Sequence, residues 1–280
     1  MPRSQGSTAI EALRAVVGHF PEVEELASHG LPNWRVRGGR VFAIFAANHH
    51  GDGRVALWLR AADGAQDVLV RADPRHFFVP PYVGPSGWIG VRLDRGIGWT
   101  RVAGLLRDAW REGAPSRMHV QLGPAPRVPA PTRGLTVEEL DPMQTPEARR
   151  AVAALRTICL ALPGTSEASS FGKPVWRVGR RTFAQCWRYG VGPVQAAFWV
   201  GVERQGLMTA DPRYVIPPYL GHAGWIALDV TRHLPRPEVR NLAAQSHAHF
   251  GPKRGFSAAS RRAPRSRAPT GRAPAGRRRS

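Results

Sequence analysis

Apolar residues near the start of the chain recur every three or four positions, the spacing that places side chains on one face of an α-helix. Thr8 and Glu11 form a capping box at the beginning of this pattern, a signal for a helix start. The sequence therefore predicts an amphipathic helix whose buried stripe consists of Ile10, Leu13, Val17 and Phe20.

The pattern then changes to the alternation of apolar and polar residues that is typical of a half-buried strand. In residues 33–45, apolar positions alternate with Arg35 and Arg37, and Gly38-Gly39 provides a two-residue turn. This predicts a hairpin with one apolar and one arginine-rich face, followed by a strand at 54–60. A closing helix is predicted from the stripe Val102, Leu105, Leu106, Ala109 and Trp110.

The same succession of elements occurs a second time. Residues 72–89 and 210–226 share 11 identical residues when aligned with one gap, including the segments ADPR, PPY and GWI. The segment WRV recurs at 34–36 and 176–178, and we match Trp58 with Trp199. Because the order of the shared segments is kept, we interpret the chain as a tandem duplication of a unit of roughly 105 residues.

The second copy predicts the same elements with different side chains. Its first helix carries Cys159 at a position where a small core hydrophobe is expected, and its hairpin turns near Gly179-Arg180. The predicted helix stripes of this copy are Val152, Leu155, Cys159 and Leu162, then Val239, Leu242, Ala243, Ser246 and Phe250.

Together the two patterns predict an α+β fold. Each copy is expected to form an antiparallel sheet with two helices on one face, while the other sheet face remains exposed. Trp88 and Trp225 are expected to anchor a strand in the core of each copy. The predicted units are a first domain, a Pro-rich linker, a second domain and a disordered basic tail, at residues 1–122, 123–145, 146–250 and 251–280.

Charge sets the tail apart from the rest of the chain. The formal net charge is +20, and residues 251–280 supply ten basic residues and no acidic one, a composition that attracts polyanions. The chain has two cysteines, no apolar run of transmembrane length and no apolar leader segment. We therefore expect a cytoplasmic protein without a membrane partner or a disulfide framework.

Each copy resembles the MmcQ/YjbR family of small bacterial proteins. The resemblance is carried by "HGLPNWRVRGGRVFA" and "FGKPVWRVGRRTFA", followed by "PPYVGPSGWI" and "PPYLGHAGWI", and it covers nearly all of residues 8–120 and 147–250. It implies a CyaY-like fold, and DNA binding because that fold is similar to double-wing DNA-binding domains. The tandem arrangement and the tail depart from the usual single-domain form.

Iron binding, which frataxin-type members of the same fold carry out through an acidic helix, is not expected here. Hard cations need clustered oxygen ligands, and the second copy lacks most of the glutamates of the first. We place these glutamates on the first helix of each copy: Glu11, Glu22, Glu24 and Glu25, against Glu147 and Glu167. No metal ion or cofactor is predicted.

The predicted site is a nucleic-acid interface, with DNA as the expected partner. A basic two-stranded ribbon fits a DNA groove or follows its phosphates, although an ordinary solvated strand face is the alternative for the hairpins. A loop tyrosine would either stack on a base or cap the core. The candidates are Arg35, Arg37, Arg40, Lys173, Arg177, Arg180 and Arg181 in the hairpins, Tyr82 and Tyr219 in the loops, and Arg261, Arg262, Arg265, Arg267, Arg272, Arg277, Arg278 and Arg279 in the tail.

Catalysis is not expected, because the sequence lacks the common nucleotide-binding, zinc-protease and serine-hydrolase motifs. The histidines at 247 and 249 lie on different sides of a predicted helix, so they would not chelate one metal ion. We therefore expect a non-catalytic, weakly sequence-specific DNA-binding protein. The alternative is a protein- or small-molecule-binding module whose tail only adds non-specific affinity for polyanions.

Overall fold

The computed structural model describes residues 6–28 and 30–252, so the candidate arginines of the tail lie outside the described residues. Within this range the helices are α1 (Ala9–Val17), α2 (Ala65–Ala72), α3 (Trp99–Gly113), α4 (Val137–Leu140), α5 (Pro146–Leu160), α6 (Val202–Met208) and α7 (Arg236–Phe250). The strands of the first domain are β1 (Val23–Ser28), β2 (Leu31–Val36), β3 (Val41–Ala47), β4 (Val55–Leu59), β5 (Phe77–Phe78) and β6 (Ile89–Arg92). Those of the second are β7 (Thr165–Ser170), β8 (Lys173–Val178), β9 (Arg181–Trp187), β10 (Gln195–Trp199), β11 (Tyr214–Val215) and β12 (Trp225–Asp229).

The two sheets have the same topology. The first runs β1-β2-β3-β4-β6-β5, and the second runs β7-β8-β9-β10-β12-β11 when read from the matching edge. All strand pairs in both sheets are antiparallel. The predicted α+β fold and the predicted duplication are thus both confirmed.

One face of each sheet packs against two helices to form the main core. In the first domain α1 and α3 cover Trp34 and Leu57, and in the second domain α5 and α7 cover Trp176 and Phe198. Cys159 is fully buried in the second core, as expected of a small hydrophobe. Burial raises the pKa of its thiol to about 12, so it stays protonated at neutral pH.

The opposite sheet face is not simply exposed, and that part of the prediction is wrong. At the β4–β6 end of the first sheet a second cluster is buried, formed by Ala46, Ala56, Trp58 and Trp88. The equivalent cluster of the second sheet is Trp187, Ala197, Trp225 and Ala227. The Pro-Tyr loop covers each cluster, and α2 holds the first loop through Gln66, whose amide donates to the carbonyl oxygens of Gly84 and Trp88. The predicted burial of Trp88 and Trp225 is confirmed.

Strand register also corrects the match between Trp58 and Trp199. Because Ala43 pairs with Leu59 and its counterpart Ala184 pairs with Phe198, the position equivalent to Trp58 is Ala197. The large side chain has moved to the neighbouring strand, where Trp187 occupies the position of Ala46. This exchange of large and small residues keeps the volume of the cluster, the kind of core change that proteins tolerate best.

Glu24 and Glu25 lie on an edge strand and Glu22 lies in the turn before it, and none of the three is on the helix to which the sequence pattern assigned them. The helix ends at Val17, and the chain turns through Pro21 into β1, which pairs residue by residue with β2. Glu24 therefore lies opposite Arg35. In the second domain Glu167 lies on β7 in the same way.

The two hairpins turn differently. The first has a four-residue loop at 37–40 and not the predicted two-residue turn, and the Gly39 N–H donates to the Val36 carbonyl oxygen at 2.8 Å. The second turns through Gly179-Arg180, as predicted, with Gly179 at φ 57° in the left-handed region that favours glycine.

Candidate nucleic-acid interface

In the first ribbon, defined as β1, β2 and β3, two of the predicted arginines form ion pairs with nearby glutamates. Arg35 Nη2 lies 2.6 Å from Glu24 Oε2, and Arg37 Nε lies 3.0 Å from Glu24 Oε1. Arg37 also lies 3.5 Å from Glu22. Hydrogen bonds from Arg35 and then Arg37 lower the pKa of the Glu24 carboxyl, so it is ionised at neutral pH and offsets their charge.

Arg40 completes the candidate residues of the first ribbon. Its side chain is exposed and makes no ion pair among the described residues. Of the three arginines predicted on this hairpin, only Arg40 is therefore free to meet an external anion.

The second ribbon, defined as β7, β8 and β9, lacks the matching carboxylate. Ser166 lies opposite Arg177 on β7, at the position that Glu24 occupies opposite Arg35 on β1. The Nε of Arg177 is shielded from solvent and has no hydrogen-bond partner in the described part of the chain. Arg180 and Arg181 are exposed at the turn and likewise have no ion pair among the described residues. The positive charge of this ribbon is thus not offset.

Lys173 does not join the exposed arginines. Only 23% of its side chain is exposed, and its Nζ lies 3.9 Å from Asp141 of the linker. Burial lowers the pKa of this amine, while the nearby Asp141 carboxylate opposes the shift. A contact to the linker is therefore its role in the described structure, contrary to its predicted place on the basic face.

On the helix side, by contrast, the two ribbons keep the same polar contact. In the first domain Arg14 of α1 forms an ion pair with Glu25 at 2.7 Å, and the Trp34 indole N–H donates to the same carboxylate at 3.3 Å. In the second domain the corresponding contacts are the Arg156–Glu167 ion pair at 2.7 Å and the Trp176 donation at 3.2 Å. This contact connects the first helix of each domain to its ribbon, and the duplication has preserved it.

The final helix contacts strand β9 of the second ribbon. The Ser246 hydroxyl of α7 donates to the Phe183 carbonyl oxygen at 2.6 Å, and the His247 ring packs on the Phe183 ring with centroids 5.3 Å apart. Phe183 is two residues after Arg181. The second half of α7 therefore contacts β9 two residues from Arg181, and the ten basic residues of 251–280 follow α7 in sequence.

The loop tyrosines are exposed and do not cap the core. Tyr82 and Tyr219 expose 66% and 72% of their surface, and both have φ 65°. Each is the central residue of a γ-turn, in which the N–H of Val83 donates to the Pro81 carbonyl oxygen at 2.7 Å and that of Leu220 donates to Pro218 at 2.8 Å. Positive φ is strained for a bulky residue, and such strain often occurs at functional sites.

The tyrosines are not grouped with the ribbon arginines. The Tyr82 hydroxyl lies 3.3 Å from Nδ1 of His50 in the β3–β4 loop, and the ring of Phe171 from the second domain packs on His50 at 4.8 Å. Tyr82 thus lies beside a contact between the two domains. The structure brings the arginines of each ribbon together but places the tyrosines on separate loops.

Sequence reasoning missed the partners of the first-ribbon arginines because it extended the helix too far. The one signal in the sequence was Pro21, a residue that helices rarely contain beyond their first turn. It marks the end of α1, but the following "EVEEL" has two consecutive glutamates and does not alternate like a half-buried strand.

A family model described as YjbR matches the chain twice, over residues 18–112 and 160–249. The chain belongs to the YjbR family. The two matches coincide with the two sheets, so the duplicated unit is a YjbR domain. A search of curated proteins found no match.

Among solved structures, the chain is similar to the crystal structure of Deinococcus radiodurans protein DR2400, with a domain described as DUF419. The identity is 25%, the match covers 39% of this chain and 83% of that chain, and the TM-score is 0.32.

Over residues 6–28 and 30–252, no helix has both the length and the apolar character needed to cross a bilayer. In the same residues, His, Cys, Asp and Glu do not gather in a group of three or more that is able to hold a metal ion.

Proposed function

We propose that this YjbR protein binds nucleic acid, with DNA as the preferred partner, through phosphate contacts from its second ribbon and its tail. The observation that carries the proposal is the missing carboxylate opposite Arg177. With Ser166 in place of a glutamate, none of Arg177, Arg180 and Arg181 forms an ion pair with a carboxylate of the described residues. Arginine suits this role because its guanidinium donates two parallel hydrogen bonds to a phosphate.

The shape of the second ribbon supports the same proposal. A two-stranded β-ribbon fits the major groove of B-DNA, and its exposed tip is able to follow the phosphate backbone. The basic tail follows α7, which contacts β9 near this tip, so in this proposal ribbon and tail together supply the positive charge that binds the duplex. Contacts of this kind carry little sequence information, which predicts weak sequence preference.

The proposed interaction is non-catalytic and strongly salt-dependent. Binding that depends on phosphate contacts has a dissociation constant on the order of 10⁻⁴ to 10⁻⁶ M at physiological salt. Each phosphate contact contributes about 0.9 to the slope of log affinity against log salt concentration. The change in salt slope when the arginines of the ribbon or the tail are removed therefore measures how many phosphate contacts that region makes.

The experiment is fluorescence anisotropy with a labelled duplex of mixed sequence, titrated at several salt concentrations. Replacing Arg177, Arg180 and Arg181 by glutamine should reduce the salt slope by about 2.7, the value for three phosphate contacts. Deleting residues 253–280 should reduce the slope by several units, since it removes ten basic residues.

The matched control is the triple glutamine variant of Arg35, Arg37 and Arg40. Because Glu22 and Glu24 already neutralise two of these arginines, this variant should lower the slope by about 1 at most. If the full chain does not bind the duplex even at low salt, or if the two triple variants lose the same affinity, the proposal is wrong.

A further inference from the structure

A groove of about 500 Å³ opens in the second domain between α5 and the segment that leads into α7. Its floor is apolar and includes Ala151, Ala154, Leu234 and Pro235. The volume lies within the range of small-molecule sites, which are mostly apolar with a few polar groups at defined positions.

Three arginines line the groove: Arg150, Arg232 and Arg236. All three are exposed, and none forms an ion pair with another described residue. The one carboxylate in the lining belongs to Glu147, which lies 3.6 Å from Nη1 of Arg188 outside the groove. The groove therefore combines an apolar floor with uncompensated positive charge at its rim.

The first domain closes the equivalent position with its own residues. Trp99 occupies the place of Arg236, since Val102 and Val239 match on the two helices, and it is only 9% exposed within the first core. The linker adds further cover, because Val128 and Leu135 pack against the same core. The second domain has neither the tryptophan nor a linker among its described residues at this position.

From this difference we infer that the second-domain groove binds a small amphipathic carboxylate. The apolar body of the ligand would lie on the alanine and leucine floor, and its carboxylate would accept hydrogen bonds from the arginine rim. The inference does not depend on DNA binding. The groove lies at the N-terminal end of α7, whereas Phe183, two residues after Arg181 of the ribbon tip, contacts Ser246 and His247 in the second half of this 15-residue helix.

The tail of the chain is the competing occupant. Residues 263–270 read APRSRAPT and match the linker segment APRVPAPT, residues 125–132, at six of eight positions. However, this segment would bring Arg265 and Arg267 towards the arginine rim, and like charges oppose such docking. The tail has no acidic residue to offset that repulsion. An external anion is therefore the better complement.

The test is isothermal titration calorimetry of the full chain with decanoate. Two further ligands separate the contributions: decyltrimethylammonium has the same tail with the opposite charge, and inorganic phosphate has the charge without the tail. We expect decanoate to bind, decyltrimethylammonium not to bind, and phosphate to bind at least about tenfold more weakly than decanoate.

The decisive variant is Arg236→Trp, which gives the second domain the residue that already fills the groove of the first. It should lower the decanoate affinity at least about tenfold and leave DNA binding unchanged. Arg150→Gln combined with Arg232→Gln should also weaken decanoate binding, and these exposed positions carry little risk to folding.

Three results would overturn the inference. They are no heat of decanoate binding to the full chain, equal affinity in the Arg236→Trp variant, and equal binding of decyltrimethylammonium. A full-length variant with residues 263–270 replaced by glycine and serine tests the competing occupant. If only that variant binds decanoate, the groove belongs to the tail and the inference is wrong. DNA binding is measured separately, so its failure would not affect this conclusion.

Discussion

The two ribbons have the same strand order and differ in their electrostatic character. In the first, Glu24 holds Arg35 and Arg37, and Glu22 adds a further carboxylate. In the second, Ser166 stands in the place of Glu24, and Gly164 in the place of Glu22. One copy of the domain thus compensates its arginines internally, while the other leaves them available to an external anion.

The positions that did not change show what the fold requires. Both domains keep an arginine on the first helix, a glutamate on the edge strand and a buried tryptophan that donates to that glutamate. These groups face the helices, whereas Glu24 and Ser166 face the other side of the sheet. Duplication has therefore preserved the charges that support packing and allowed those on the open face to diverge.

The largest expected effect concerns the buried tryptophan that both domains have kept. Trp34→Ala and Trp176→Ala each empty a fully buried site and remove the donor to Glu25 or Glu167. Each variant should lower the free energy of unfolding of its own domain by about 3–5 kcal/mol, measured by chemical denaturation. Val191→Ala, at a position 99% exposed, is the control and should change it by less than about 0.5 kcal/mol. If only one of the two substitutions lowers the free energy of unfolding of its domain, the two tryptophans do not have equal roles.

An intermediate effect is expected at a contact that only the second domain has. In the first sheet the Arg60 N–H donates directly to the Phe42 carbonyl oxygen at 2.9 Å. In the second, the Ser246 hydroxyl stands between the equivalent groups, accepting from the Trp199 N–H at 3.1 Å and donating to the Phe183 carbonyl oxygen at 2.6 Å.

Ser246→Ala leaves both buried backbone groups without a partner and should cost about 1–3 kcal/mol of unfolding free energy. Thr157→Ala is the matched control, since it removes an exposed hydroxyl that also bonds a backbone carbonyl. An equal effect of the two variants in thermal or chemical denaturation would show that the hydroxyl does not bridge the strands.

The smallest effect concerns the pH dependence of the first ribbon. Hydrogen bonds from Arg35 and Arg37 lower the folded-state pKa of Glu24 below its ordinary value, so its contribution to stability is present above about pH 4.3. That contribution is lost as the pH falls through the folded-state pKa. Glu24→Gln should thus lower the thermal midpoint slightly at neutral pH and converge with the unmodified chain in acid. A difference that grows in acid would contradict this sign.

Much of the fold was predictable because the same pattern of apolar and polar residues occurs twice in the chain. Helical spacing at Leu13 and Leu155 and alternation around Trp34 and Trp176 identify the elements, and the repeated Pro-Tyr segments align the copies. The sequence pattern failed where a short element depends on its neighbour. Strand β1 carries Glu24 and Glu25 on opposite faces, so its sequence lacks strand alternation, and its pairing with β2 is what defines it as a strand.

The candidate site was predictable only in part. The arginines of both hairpins are visible in the sequence, but their partners are not, because Glu24 reaches Arg35 across a turn and a strand pair. The groove of the second domain was missed for a similar reason. Arg150 and Arg236 are 86 positions apart in sequence, and only the packing of α5 near the start of α7 brings them to one groove.

The most direct test of the central claim exchanges the deciding residues between the ribbons. Ser166→Glu gives the second ribbon the carboxylate of the first, and Glu24→Ser removes it from the first. The salt slope of DNA binding should fall by about 1 in the former, rise by about 1 in the latter, and return to the unmodified value in the double variant. If neither substitution changes the slope, or both change it in the same direction, the two ribbons do not differ in the way proposed.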